Sequence, residues 1–374
     1  MLIPDAMHPD VIARQSIEAR TRALDIIIDE AASSPDIVGL AVAVVRGGET
    51  AFVKTAGPLA VGAPAQVTPQ TRFRIASLSK AFAATLALQL VEEGKLSLSD
   101  RARQFAPAFQ LKRAGQADAA TLEHVLSHRL GLPPYAYDNL LEAGRSPETL
   151  LRKFKEVDPI CPVGRCYAYQ NVGFNMIASA IENIDQRPFG AALSARIFDP
   201  LGMEDASVGK ASLTIDDNWA RSHKRRKDAP WRVVAVKQPY YDIPAAGGVN
   251  ASIEDMAIWL AANLGHHREI ISPETSAQLR MSRVDTPAEF RRLRLMPAVT
   301  KAQYGLGWRI YDYGGHKLVT HAGSVEGYSA QIAFLPERDV GIVLLTNARS
   351  KAFWEILPQF INLELGIDAP VKEF

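Results

Sequence analysis

Short β-rich runs gathered at the two ends of the chain, with a long helical middle between them, restrict the folds open to it. Gly39 to Val45 and Ala51 to Thr55 are rich in branched and aromatic residues and flank Arg46-Gly47-Gly48-Glu49, which reads as a hairpin. Far along the chain, Tyr304 to Tyr311, Lys317 to His321, Tyr328 to Leu335 and Val340 to Thr346 follow one another at hairpin spacing and predict an antiparallel meander. Helical patterns cover Ile17 to Ala32 and Ala352 to Leu365, so each end brings sheet and helix together. In the middle, Leu122 to Ser127, Pro147 to Val157 and Gly173 to Ile184 read as helices broken by proline and glycine loops. A sheet must cover its apolar face. The expectation is an α/β (α+β) fold: an antiparallel sheet flanked by helices, with a mostly α-helical insertion.

The size and composition narrow the function. At 374 residues, 47% hydrophobic and 22% charged, the chain is long enough for two cores and leaves no room for extensive disorder. Its net charge of +1 gives no field for nucleic acid or an anionic membrane surface, and the run Lys224 to Lys227 reads as a solvated face. No stretch reaches the roughly 18 apolar residues of a membrane span. The opening MLIPDAMHPDVIARQ lacks a signal peptide's apolar core, so the chain as written reads as cytoplasmic, or periplasmic where a signal has been removed. Cys161 and Cys166 match neither a redox pair nor a zinc set, and read as two small half-buried residues; a local disulfide requires an oxidising compartment.

The chemistry starts at Ser77-Leu78-Ser79-Lys80. Residues three apart on a helix share a face, so the lysine amine can reach the serine hydroxyl. A helix N-terminus also offers free N–H groups to an oxyanion. In the second copy of the pattern, Ser207 to Lys210, the serine lies between Gly202 and Gly209 with no helical run after it and reads as loop. Tyr169-Gln170-Asn171 supplies a phenol which, beside a lysine ammonium, becomes a proton acceptor. Its competitor, Tyr137-Asp138-Asn139, sits in a proline-rich loop without a helix behind it. At His321-Ala322-Gly323 the missing side chain at Gly323 lets a substrate pair with a strand edge, and the N–H of Ser324 is placed as a second oxyanion donor. His124 and His128 lack the glutamate and third ligand of a zinc site. No phosphate loop and no Gly-x-Ser-x-Gly elbow is present. No cofactor and no metal are expected.

Taken together and in this order, Ser77 and Lys80, Tyr169 and Asn171, and His321 and Gly323 resemble the three motifs of the penicillin-recognising serine hydrolases, in the branch of class C β-lactamases and D-alanyl-D-alanine carboxypeptidases. Thr121 to His128, Gly131-Leu132-Pro133, Pro200 to Met203, Ala246-Gly247-Gly248 and Tyr304 to Trp308 fit the same branch. The resemblance implies a β-lactamase/transpeptidase-like fold, with an α/β domain from residues 1–76 and 245–374, a mostly helical domain from 77–244, and the active site in the cleft between them. It also implies an acyl-enzyme on Ser77, proton work by Lys80 and Tyr169, Asn171 orienting Lys80 and the substrate amide, and an oxyanion hole from the N–H groups of Ser77 and Ser324. Two departures stand out. Pro162 lies two residues ahead of Gly164, and His321 stands where true β-lactamases carry lysine. The implied substrates are therefore D-peptides or small esters, with at most weak β-lactam hydrolysis. The alternatives are a true class C-like β-lactamase or a silent penicillin- or peptide-binding module. Partners are a small-molecule or peptide substrate, with oligomeric state open. Histidine at 321, only partly charged near pH 7, predicts carboxylate binding that strengthens toward pH 6.

Overall fold

The computed structural model describes residues 9–368 apart from 228, 292, 294 and 295, with backbone alone for 9–16. Its strands are β1 (Leu40–Arg46), β2 (Glu49–Ala56), β3 (Phe73–Arg74), β4 (Ser207–Val208), β5 (His223–Lys224), β6 (Arg232–Val233), β7 (Val249–Ala251), β8 (Val284–Asp285), β9 (Val299–Tyr304), β10 (Arg309–Tyr313), β11 (His316–Val325), β12 (Tyr328–Leu335) and β13 (Val340–Thr346). Eight of them form one antiparallel sheet in the order β2-β1-β13-β12-β11-β10-β9-β8. The N-terminal hairpin thus joins the meander through β1 against β13, from Leu40 opposite Thr346 to Arg46 opposite Val340.

Strand β1 reads as a continuous apolar run because both faces of the sheet are covered. Leu40, Val42 and Val44 pack with Leu24 and Ile28 of helix α1 (Pro9–Ser33) and with Phe353, Ile356 and Phe360 of the helix Lys351–Leu365. Ala41, Ala43 and Val45 point the other way, toward the helix Ile253–Leu264. That second core continues into helix α2 (Ser79–Glu92), whose Phe82 stacks on Trp259 with ring centroids 4.0 Å apart. The alanine-rich α2 runs through the interior with Leu86, Leu90 and even Lys80 fully buried.

Two strand readings need correction. The single run Tyr304 to Tyr311 is the end of β9, a turn closed by a 2.9 Å bond from Gly305 N to Trp308 O, and the start of β10. Gly307, at φ +72, makes that turn affordable to the backbone. The β11 strand runs four residues beyond His321, to Val325, and this overhang builds the site.

Candidate active site

Ser77 lies in a 3-10 turn, Ala76–Leu78, between β3 and α2; the α-helix begins at Ser79. Ala76 takes a left-handed φ of +50, a conformation that costs a non-glycine residue energy and is held only by its surroundings. Ser79 provides that hold: its Oγ donates to Ala76 O at 2.6 Å and accepts from Val249 N at 3.0 Å. The serine is thereby lifted out of the helix into a cavity of about 360 Å³.

Lys80 is wholly buried and reaches three oxygens from its Nζ: Ser77 Oγ at 3.3 Å, Asn171 Oδ1 at 2.8 Å and Ala246 O at 2.8 Å. Three acceptors match the three N–H groups of an ammonium. Burial nevertheless pulls its pKa well below the ordinary lysine range, opposed by Asp138 and reinforced by Arg309. The nitrogen lies 4.7 Å from the centre of the Tyr169 ring and 5.4 Å from that of Phe174. The Tyr169 hydroxyl shares a hydrogen bond with Ser77, and burial pushes its pKa far up despite Arg309 and that bond. Phenolate is not its resting form.

The opposite wall is the overhang of β11. Strand β10 pairs with β11 only as far as Arg309 opposite Thr320, so residues 321–325 have β12 on one side and no strand of the sheet on the other. The turn carrying Ser77 faces them. Gly323 approaches that turn so closely that a Cβ there would sit 2.5 Å from Ile75 O, 2.9 Å from Ser77 N and 3.1 Å from Ala76 Cβ. The glycine is needed because the nucleophile's own backbone occupies the space. Ala322, Gly323 and Ser324 line the cavity.

His321 behaves otherwise than its sequence setting predicts. It is fully buried, and the cavity wall beside it is Arg309. Gln170 N donates to His128 Nδ1 at 3.1 Å, which leaves His128 Nε2–H for Tyr304 Oη at 3.2 Å. The Tyr304 hydroxyl then donates to His321 Nε2 at 3.1 Å, where Arg309 Nη1 also donates at 3.3 Å, while His321 Nδ1–H serves Ala322 O at 3.0 Å. With Nε2 receiving two donors, a proton has no place there. Burial, Arg309, Lys80 and His128 all hold the His321 pKa well below its usual value. The cationic side chain that borders the cavity here is Arg309, which is itself paired with Glu289 at 3.0 Å through two N–H groups.

The rival motifs sort themselves out. Ser207 is a β4 residue whose Oγ accepts from Asn250 Nδ2 at 3.4 Å, and a single helical turn, Lys210–Leu213, does follow it, contrary to the loop reading. A helix, Asp138–Glu142, likewise follows Tyr137. Tyr137 stacks on Phe154 and donates to Lys153 O at 3.2 Å, away from the cavity, whereas its neighbour Asp138 lines it. Cys161 and Cys166 form a disulfide, correcting their reading as two separate small residues. The helix carrying His124 ends at Leu126, so His128 leaves its face, and no cluster fit for a metal occurs among the described residues. No helix among them is long and apolar enough to cross a membrane. Sequence reasoning missed Asp138, Arg309 and Tyr304; Asp138 was visible as a lone acid in an apolar, proline-rich stretch.

A serine on a strained turn, a lysine behind it and an overhanging strand edge facing both are the architecture of the active-site-serine hydrolases related to penicillin-binding proteins. The chain belongs to the Beta-lactamase family, whose model matches residues 24–364. It is similar to unguisins hydrolase ungD' of Aspergillus campestris, with 26% identity over 90% of this chain and 64% of that protein. It is also similar to protein flp of Staphylococcus aureus strain COL, with 22% identity over 91% and 64%. The chain thus spans a little under two thirds of these curated relatives. Among solved structures, the octameric penicillin-binding protein homologue from Pyrococcus abyssi superposes with a TM-score of 0.81 at 27% identity, covering 92% of this chain and 77% of that one. SurE shares the fold, with a TM-score of 0.72 at 20% identity, over 96% and 78%.

Proposed function

We propose that this protein hydrolyses small esters or D-residue peptides through an acyl-enzyme on Ser77. The observation that carries the reading is the 3.3 Å bond from Lys80 Nζ to Ser77 Oγ beside an unpaired strand edge. A substrate laid antiparallel along residues 321–325 turns its carbonyl toward Ser77, and the N–H groups of Ser77 and Ser324 receive the oxyanion. Ser77 Oγ bonds to the carbonyl carbon, its proton passes to the Lys80 amine, and the leaving group departs with a proton relayed by way of Tyr169. Water then repeats the attack. Tyr169 starts as a neutral phenol, which suits proton relay to the leaving group. Asn171 orients Lys80 and the substrate amide. His321 acts through Tyr304 and Arg309, as a spacer of the cavity wall more than as a contact to substrate.

The two parts of the chain around the cavity, 1–76 with 245–374 and 77–244, form its two sides in this reading. Arg309 is largely neutralised by Glu289, so neutral esters and peptides suit the site better than penicillins. The similarity to a protein named unguisins hydrolase adds unguisins to the candidate substrates. The Cys161–Cys166 disulfide favours an exported location. The test is intact mass after exposure to a fluorophosphonate, followed by peptide mapping. Label on Ser77, lost in Ser77→Ala and kept in Ser207→Ala, supports the reading; no label, or label elsewhere, refutes it and favours a silent binding module.

A further inference from the structure

The acyl-transfer reading leaves one buried acid without a role. Asp138 opens the helix Asp138–Glu142, is 9% exposed and borders the same cavity as Ser77. Its Oδ2 accepts a 2.6 Å bond from Asn171 Nδ2, while the other end of that amide, Oδ1, accepts from Lys80 Nζ at 2.8 Å. An amide has one donor end and one acceptor end. Turned over, Asn171 would aim its NH2 at the lysine and its carbonyl at the carboxylate, setting donor against donor and acceptor against acceptor. Only one orientation is satisfied. Resting on the Ser77 reading, we propose that Asp138 is the positioning residue of this site: it locks the orientation of Asn171 and supplies the negative charge that strengthens the hold of the Lys80 amine on the proton it takes from Ser77.

The surroundings leave that task to Asp138. Lys80 forms no direct ion pair among the described residues, and its other polar neighbours are the hydroxyl of Ser77 and the carbonyl of Ala246. The remaining charged or titratable groups facing it are Arg309, His128, His321 and Tyr169, and the first of these repels an ammonium. Asp138 itself faces Lys80, Asn171, Glu142 and Tyr240. Burial and, less strongly, Glu142 push its carboxyl up, and the Asn171 bond, Lys80 and a Tyr240 bond pull it back. Asn171, held through Oδ2, is the partner that links the carboxylate to Lys80, and Tyr240 is its other hydrogen-bond partner.

Two substitutions separate orientation from charge. Asp138→Asn keeps an acceptor for Asn171 Nδ2 but no charge; Asp138→Ala removes both. The readout is the second-order rate at which a fluorophosphonate labels Ser77, measured by intact mass from pH 6 to 10, with thermal melts to confirm folding. Loss of the charge lowers the Lys80 pKa, so Asp138→Asn shifts the limb governed by Lys80 by about one pH unit to lower pH. It is the rising acidic limb if the neutral amine is the base, and the falling alkaline limb if the ammonium is required. Asp138→Ala drops the best rate roughly 10- to 100-fold through misplaced Asn171 and Lys80, and Asp138→Glu recovers part of it. If the Asp138→Asn profile superimposes on that of the unmodified protein, or if folded Asp138→Ala labels at its rate, Asp138 does not position the site. Label absent from Ser77 in the unmodified protein refutes the acyl-transfer reading, and this proposal with it.

Discussion

Replacing Gly323 by alanine tests whether the nucleophile turn and the β11 overhang work as one rigid unit. The added Cβ would lie 2.5 Å from Ile75 O and 2.9 Å from Ser77 N, both backbone atoms with no rotamer to escape into. Ordinary carbon contacts start near about 3.5 Å, so strand and turn must part by about 1 Å. Overpacking of this kind costs about 1 to 3 kcal/mol of stability. The effect on chemistry should be larger. Oxyanion donors act within about 2.7 to 3.1 Å, and a 1 Å displacement separates Ser77 N from Ser324 N; such misplacement lowers a rate about 100-fold, equivalent to about 3 kcal/mol of transition-state stabilisation. The assay pairs a thermal melt with kcat on a neutral p-nitrophenyl ester and with the rate of Ser77 labelling. Gly323→Ala should melt a few degrees lower and turn over about 100-fold more slowly. A variant that keeps its melting temperature and acylates within threefold of the unmodified protein would show that the two elements separate freely, and the oxyanion geometry argued from Gly323 would fall.

Lys80→Ala and Tyr169→Phe should each lower kcat by roughly 10²- to 10⁴-fold with far smaller changes in melting temperature. Tyr137→Phe, which loses only a bond to Lys153 O, should stay within a few-fold; equal damage would overturn the choice between the two Tyr-x-Asn copies. Because His321 is held neutral, KM for a carboxylate-bearing ester should change little between pH 8 and 6, and a marked fall toward pH 6 would restore His321 as the cation. His128 and His321 both have folded pKa values depressed below the unfolded 6.5, so their stability contribution is complete above about pH 6.5 and drains as pH falls. Each contributes a slope on the order of 1 kcal/mol per pH unit. His124 and His223 are depressed in the same way, whereas Asp138, Asp205 and Asp255, the last pushed up to about 6 by burial, act in the opposite direction, three groups against four. Melts that are flat from pH 6.5 to 5 would contradict this. Finally, Cys161→Ser with Cys166→Ser should cost at most about 2 kcal/mol, since the loop closed spans only five residues, and melts with and without reductant measure it.

What could be seen in the sequence was whatever is encoded locally. Strands β12 and β13 were found to the residue because both faces are buried and their apolar runs end at turn residues. Ser77 and Lys80 stood out because both lie within one helical turn. The rest depends on side chains that the fold brings together from far apart. Asn171 meets Lys80 across 91 positions and Asp138 across 33, and neither spacing has a local signature. The neutrality of His321 follows from Tyr304, Arg309 and His128, whose convergence no reading of the His-x-Gly triplet contains. Gly323 was singled out for the room it leaves a substrate, and its closeness to residues 75–77 is a further demand that the triplet alone does not show.

The pairing of β1 with β13 also governs how the protein comes into being. A ribosome releases Leu40–Arg46 early, but its partner Val340–Thr346 appears about 300 residues later. At roughly 5 to 20 residues per second that is a wait of about 15 to 60 s, during which a buried-type apolar strand has no proper neighbour on one edge. The site has the same dependence, because the Ser77 turn is shaped against a strand edge that has yet to be made. Such non-local closure makes for slow folding and a long interval in which unpaired strands can find the wrong partner. The nucleophile turn therefore lacks the wall it is shaped against until β11 has been made, and β1 waits longer still for β13.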